Sequence, residues 1–416
     1  MPKPNLPKFD ECCGCGVCVD ICPKKALQLI ENSDGFFMPQ CDESICVACG
    51  LCEKNCHLLH QDKMKRNDRK TEELYSAWTL DTEIIKKSAS GGVFTQLAKK
   101  FLARDNSFVY GATLNEDSSV SHIFISDIGE LPKLQGAKYH QSYSVGIYKD
   151  VKSKLKSGCD VLFSGVSCQV AGLLYYLKYD EELLQHLWTA EILCHGVPSN
   201  YTKELALKLN GAKRVVAYRT KMEGWERGNR TVYEYEDGIR PCGYADSRDF
   251  MFKAFLTNAA LRPSCTKCKY AVMDRIADLT FADFWYWEKD RKDFQNPEGT
   301  SLILANSSKG KDLLKSSGNV KKTPITFEQA TIVNQNLYMP QNLFVVNLSK
   351  HIHTIKKLPT FMQKLILQQD FSNPVLCKIR RGVDRYIFSL RKLLLKKKTK
   401  EMNTIRSAEL SKLRKK

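Results

Sequence analysis

Two runs of four cysteines dominate the chemistry open to this chain. Cys12-x2-Cys15-x2-Cys18-x3-Cys22 is followed by Pro23, and Cys46-x2-Cys49-x2-Cys52-x3-Cys56 by His57. Three thiolates at this spacing wrap one corner of a 4Fe–4S cube, and the fourth lies beyond a short helical turn. Zinc sites usually group cysteines in pairs and complete a tetrahedron with a distant second pair, so a 2-2-3 rhythm occurring twice does not fit them. A disulfide framework needs an oxidising compartment, and Met1 to Asp10 has no apolar stretch of the kind that directs secretion. Gly14, Gly16, Ala48 and Gly50 between the ligands let backbone amides approach inorganic sulfur. Iron–sulfur ligation, and with it single-electron transfer, is therefore expected. Cys13 and Cys41 fall outside the rhythm and read as spare thiols.

The two runs resemble those of bacterial two-cluster ferredoxins. That resemblance implies an exchange of fourth ligands, with Cys12, Cys15, Cys18 and Cys56 on one cluster and Cys46, Cys49, Cys52 and Cys22 on the other.

The elements that must carry such sites divide the chain into four segments. Residues 1–60 form an α+β, ferredoxin-like module, and 61–75, opening QDKMKRNDRKTEE, a charged linker. Residues 76–345 form a long body, and 346–416 a helical, basic extension. Within the body, Ser107–Thr113, His122–Ser126, Asp160–Ser164 and Ala190–Cys194 read as strands, and Phe94–Arg104, Gln169–Leu177 and Tyr201–Leu209 as helices. This alternation predicts an α/β body with a mixed, partly parallel sheet. No G-x-G-x-x-G opens a helix and no G-x-x-x-x-G-K-[ST] occurs, which disfavours a Rossmann domain and a P-loop.

Net charge is +18, but it is unevenly placed. From Lys378 to Lys416, fifteen Lys and Arg face only Asp384, Glu401 and Glu409, so the tail supplies +12 of the total. Nucleic-acid binding by the protein is not expected. Val383, Tyr386, Ile387, Leu390 and Leu394 recur at helical spacing among these basic residues. Such a helix could lie on an anionic membrane surface, pack on the protein's own body, or dock an acidic electron donor. No run of 18 apolar residues occurs, and 17 cysteines without a secretion signal predict a cytoplasmic protein, with the tail as a peripheral contact at the inner membrane surface.

Four cysteines of the body stand at suggestive places. Cys168 and Cys194 follow expected strands, and Cys265 and Cys268 form a C-x2-C pair. Thiols at the carboxyl ends of neighbouring strands converge where α/β sheets hold ligands, and the pair could close a four-thiolate cage. The competing reading takes Cys168 and Cys194 as buried small hydrophobes and the pair as half a zinc site.

The body also resembles the beta subunit of coenzyme F420 hydrogenases and dehydrogenases, including a bacterial branch linked to polysaccharide-synthesis gene neighbourhoods. The resemblance runs from Trp78 to Leu304. It rests on Ser88–Thr95 (SASGGVFT), Gln135–Tyr139 (QGAKY), Phe163–Gln169 (FSGVSCQ), Cys194–Pro198 (CHGVP), Arg262–Tyr270 and Asp278–Trp285. It implies FAD in the body, and a third 4Fe–4S cluster on Cys168, Cys194, Cys265 and Cys268 with Cys242 as the substitute ligand. Ser88, Ser90, Gly91, Gly92, Thr95, Lys138, Tyr139 and Asp283 are the flavin-binding candidates. Physically, Ser88–Gly92 precedes a helix whose amino terminus offers free amides to a diphosphate, although an ordinary serine cap would leave the same pattern. Lys138 offers a positive charge to phosphate or to a flavin carbonyl, and Asp283 could hold a ribityl hydroxyl or order the cluster loop. Ala89, Ala137 and Ala282 depart from the family pattern; alanine at 282 is acceptable only where positive φ is not needed.

Two functions follow. In the first, a small donor such as a ferredoxin supplies electrons that pass through the clusters to a flavin acting on an organic substrate or a deazaflavin-type cofactor. In the second, the chain is a relay subunit or docking module of a larger complex. His195 is the candidate proton donor; His351 and His353 show no metal-site pattern.

Overall fold

The computed structural model describes residues 4–69, 72–221, 224–225, 230–242, 250–256, 258, 260–285, 294–338 and 340. The basic tail, with its amphipathic pattern, together with His351 and His353, lies outside the described residues.

In the cysteine-rich segment, β1 (Leu27–Glu31) and β2 (Phe37–Cys41) pair as an antiparallel hairpin. Short helices Val17–Asp20 and Leu51–Lys54 carry Cys18 and Cys52. Each begins at a left-handed glycine, Gly16 (φ 86°) and Gly50 (φ 71°), a backbone state that other L-residues resist.

The body is built on a sheet of nine strands. They are β3 (Glu73–Thr79), β4 (Ser107–Leu114), β5 (Val120–Ile125), β6 (Ser142–Tyr143), β7 (Asp160–Val166) and β8 (Leu187–Ile192), followed by β12 (Leu279–Asp283), β13 (Ser301–Ala305) and β14 (Val320–Pro324). Between β8 and β12, a small antiparallel sheet interposes β9 (Arg214–Ala217), β10 (Val232–Tyr235) and β11 (Gly238–Pro241). The large sheet has the order β14-β3-β13-β12-β8-β7-β4-β5-β6. Its centre, β4, β7, β8 and β12, is parallel, while β13, β3 and β14 continue antiparallel on one side.

Strand alternation sends successive side chains to opposite faces. Val109, Leu162, Ala190, Leu279 and Ile303 pack with helices Val93–Phe101 and Ser308–Ser316. Tyr110, Val161, Phe163 and Leu187 pack with helices Ile147–Lys156 and Ser167–Tyr176. The result is a three-layer α/β/α body with one core on each face. Each fully buried Leu or Val there stabilises by about 1.5–3 kcal/mol. A third core joins helix Asn200–Asn210 to the small sheet, and it holds Cys242.

The expected strands and helices of the body are all present, with boundaries moved by a few residues. The largest consequence is at β8, which ends at Ile192 and leaves Cys194 in the following loop. The charged linker is laid against the body. The Asn67 backbone N–H donates to Arg275 O (2.9 Å), and Arg66 donates to Asp274 O (2.9 Å).

The cysteine-rich segment and the body belong to one compact unit, Met1–Gln368. Asp20 accepts from the Gly146 and Tyr148 amides at 2.6 and 3.1 Å and so caps helix Ile147–Lys156, whose own N-cap residue, Gly146, has no side chain. Ser144 and Tyr148 donate to Cys15 O at 2.8 and 2.9 Å. Arg262, with no solvent exposure, donates to Cys12 O (2.7 Å), Phe37 O (2.9 Å) and Gln141 Oε1 (3.0 Å).

Candidate metal and cofactor site

Cys22, Cys46, Cys49 and Cys52 line one cavity of about 120 Å³, and Cys49 among them is exposed. Cys22 comes from the first run and its companions from the second. The reciprocal set is also close: the charges of Cys12 and Cys56 both act on Cys18. Burial pushes Cys12 up to about 11 and Cys56 up to about 12. Cys41 lies beside Cys46, and its thiol is raised to about 11, first by desolvation and then by that neighbour.

In the body, β7 runs into Ser167 and Cys168, and β8 into Leu193 and Cys194, both at the carboxyl ends of adjacent parallel strands. The single-turn helix Pro263–Lys267 presents Cys265, and Cys268 follows it. All four thiols line one cavity of about 330 Å³, and Cys13 lies with them. Burial raises Cys265 to about 12 and pushes Cys194 further up. Cys13 moves the other way, well below the usual thiol range, because the Cys15 and Cys168 thiols hydrogen-bond to it. A crowded set of buried sulfurs that share protons is the state a metal relieves, since coordination replaces those protons. Cys242 is elsewhere, in the core of the small sheet, with its thiol toward Asn210 Oδ1.

The loop carrying the C-x2-C pair is held by a buried ion pair. Arg275 Nε lies 2.5 Å from Glu191 Oε1, with side chains 2% and 0% exposed. Arg275 also donates to Tyr270 O and Val272 O at 2.9 Å and to Ser167 Oγ at 2.8 Å. One guanidinium thus ties the cysteine loop to the end of β7 beside Cys168.

Cys13, Cys15 and His57 bring ligand atoms within 4.8 Å of one another. Both also meet the body, Cys13 at the Cys168 thiol and Cys15 at the core behind β7.

A second cavity, of about 590 Å³, shares Cys13, Cys168, Cys194 and His195 with the thiol cavity. Its size suits a cofactor. Ser88, Ser90, Gly92, Thr95, Lys138, Tyr139 and Asp283 all line it. Gly91 serves a different purpose: a Cβ there would fall 2.5 Å from Ala77 O, so glycine is required by packing against β3. Gly92 (φ 73°) starts helix Val93–Phe101, whose first amides point away from the helix body as its geometry demands. The serine hydroxyls are partly committed, Ser88 Oγ to Ile84 O (2.7 Å) and Ser90 Oγ to Thr300 O (2.9 Å). Lys138 donates to Gln135 O (2.7 Å), and desolvation lowers it to about 7. Asp283 is paired with Arg219 at 2.7 Å. Ala282 lies in extended β12, where no positive φ is needed. His195 donates from Nε2 to Asn258 Oδ1 at 2.6 Å, and burial lowers its pKa, which keeps it neutral.

Sequence reasoning misses Arg262, Arg275, Glu191 and the placement of Cys13. Arg262 opens one of the motifs of the body, but nothing local marks it as the residue that grips Cys12 and Phe37.

The site is a cysteine-rich one, built where the amino-terminal module meets a mixed α/β body. Residues 159–330 match the family described as the C terminus of the coenzyme F420 hydrogenase/dehydrogenase beta subunit, and this points to an oxidoreductase-type, electron-transferring role. Among solved structures, a chain of the F420-reducing NiFe hydrogenase complex from Methanosarcina barkeri is similar at 18% identity and a TM-score of 0.41, over 72% of this chain and 94% of that one. A comparison with curated proteins finds no match. Among the described residues no helix is long and apolar enough to cross a membrane.

Proposed function

We propose that this chain is an iron–sulfur flavoprotein oxidoreductase that takes single electrons at its amino-terminal module and acts on an organic substrate or a deazaflavin-type cofactor in its body. The observation that carries this reading is the adjacency of the two cavities: Cys168 and Cys194 line both the thiol-rich space and the cofactor-sized one. Iron–sulfur clusters move single electrons, and a flavin interconverts one- and two-electron chemistry.

The donor sets fit. Cys12, Cys15, Cys18 and Cys56 would hold one cube, Cys22, Cys46, Cys49 and Cys52 a second, and Cys168, Cys194, Cys265 and Cys268 a third. FAD is the flavin proposed, with the amides that open helix Val93–Phe101 facing its diphosphate and Lys138 supplying charge. Lys138, held near neutrality by burial, gains its proton when an anion arrives. Tyr139 closes the wall against Phe252 and Phe255 and helps exclude water. Ile45 and Val47, exposed beside Cys46 and Cys49, offer a small electron-transfer protein an apolar landing point there. The basic tail is proposed as a peripheral contact with anionic lipid. Removal of residues 378–416 should abolish salt-sensitive liposome binding, and equal binding by both forms would refute that role.

Anaerobic purification with iron, sulfide and flavin quantified tests the main reading. About twelve irons and one flavin per chain are expected, from three four-iron cubes. Saturation near about eight irons, with wild type and Cys265→Ser alike, would remove the third cluster. Oxidation of the reduced chain by candidate acceptors then separates an enzyme from a relay subunit, since the relay turns nothing over without its partner.

A further inference from the structure

His57 is fully buried at the seam between the cysteine module and the body, and its hydrogen-bond partners favour one tautomer, the one that gives the buried Tyr270 hydroxyl an acceptor. Gln61 Nε2 lies 2.6 Å from His57 O, an acceptor only, so the amide nitrogen must face that carbonyl. The same nitrogen lies 2.9 Å from Tyr270 Oη and donates to it as well. Tyr270 thus accepts from Gln61, and its own proton is free for its other neighbour, His57 Nδ1. A neutral imidazole that accepts at Nδ1 carries its proton on Nε2. Nε2 lies 3.5 Å from Cys15 Sγ and 3.7 Å from Cys13 Sγ. The Tyr175 and Tyr270 rings flank the imidazole, with centroids at 6.5 and 5.6 Å, and fix its plane.

We infer that His57 is a positioning residue that donates its Nε2–H to the sulfur of Cys15, shared with Cys13, and thereby raises the reduction potential of the cluster that Cys15 ligates. The inference rests on the reading that Cys12, Cys15, Cys18 and Cys56 hold a cube. Reduction adds a negative charge to such a cluster, and a fixed N–H in a dry site stabilises the more negative state more strongly. Gln61 and Tyr270 act through His57. Without the tyrosine hydroxyl, nothing in this chain of bonds keeps the proton on Nε2. Pro23 stands at the matching place in the other run and has no donor, so the two amino-terminal clusters should differ in potential.

The test uses the full-length chain with its clusters intact and reads potentials by redox titration followed by electron paramagnetic resonance. The relevant signal is the one lost in Cys18→Ser. His57→Leu should shift its one-electron equilibrium toward the oxidised form by about tenfold, about 59 mV. His57→Gln, whose side-chain amide can reach the same sulfur, should restore most of the shift. Tyr270→Phe, which keeps the ring and loses the hydroxyl, should fall between. An unchanged potential in His57→Leu, or an equal fall in His57→Gln, overturns the inference while leaving the cluster intact. If His57→Leu does not assemble, Tyr270→Phe decides, and an unchanged potential there overturns it. A wild-type chain without the Cys18-dependent signal would refute the cluster reading and this inference together.

Discussion

Arg262→Met should loosen the cysteine module from the body without changing either core. Arg262 has no solvent exposure, and its guanidinium donates to Cys12 O, Phe37 O and Gln141 Oε1 at 2.7–3.0 Å. Methionine keeps much of the apolar stem and deletes the donors. Hydrogen bonds to a charged group contribute about 1.5–3 kcal/mol each, so three give about 5–9 kcal/mol. Removing the charge also relieves several kcal/mol of desolvation, and a net loss of about 3–5 kcal/mol remains, the usual cost of breaking a buried charged network. Each 1.4 kcal/mol is a factor of ten, so amides of the β1–β2 hairpin should exchange hydrogen about a hundred- to a few-thousand-fold faster. Amides of β7 and β13, in the large sheet, should keep their rates. The assay is native-state hydrogen exchange, residue by residue. If the hairpin speeds up by less than about threefold, Arg262 is not the clamp and the reasoning from its hydrogen bonds fails.

Cys22→Ser should cost the cluster held with Cys46, Cys49 and Cys52, although Cys22 belongs to the first run; selective spectroscopic loss of the cluster on Cys12, Cys15 and Cys18 would contradict this. Glu191→Gln leaves Arg275 buried without its counter-charge, so unfolding by denaturant should show a loss of about 3–5 kcal/mol and iron should fall with it; a stability within about 1 kcal/mol of wild type, roughly the worth of an exposed pair, would refute the role of the pair. Flavin affinity should depend on pH through Lys138. Burial holds this amine near 7, and bound phosphate would raise it, so binding takes up a proton above pH 7. Affinity should be full below pH 7 and fall by up to about tenfold per unit above it, measured by flavin fluorescence. The same slope in Lys138→Met would rule the lysine out.

The sequence carries the chemistry more legibly than its supports. Cysteine spacing is read along one chain segment, and the rhythm of the two runs, with the ferredoxin resemblance, is enough to group Cys22 with Cys46, Cys49 and Cys52. Periodicity likewise marks helix Val93–Phe101 and the central strands, because one buried face imposes a regular pattern on each. Arg262 and Glu191 leave no such trace. Arg262 is matched by carbonyl oxygens of residues 12 and 37, and a carbonyl has no residue identity for a sequence to reveal. Glu191 sits inside a strand pattern, where a carboxylate argues against burial until Arg275, far along the chain, is known to meet it. Cys13 reads as a spare thiol because it breaks the rhythm of its own run, yet it meets Cys168 from the body. The β8 boundary misleads for the opposite reason, since the apolar run continues through Leu193, one residue past the strand's end at Ile192.

The two kinds of thiol set differ in when they can exist. All eight thiols of the two amino-terminal runs lie between Cys12 and Cys56, so they can come together without any part of the body. Cys168, Cys194, Cys265 and Cys268 meet only after β7 and β8 have aligned and the Arg275 loop has closed over them. That site is therefore among the last features of the body to form, because distant pairings must be made first. On the proposed reading, a chain stopped by ribosomal stalling or proteolysis before residue 265 would still load iron on its two amino-terminal runs, but it would have no complete route into the body.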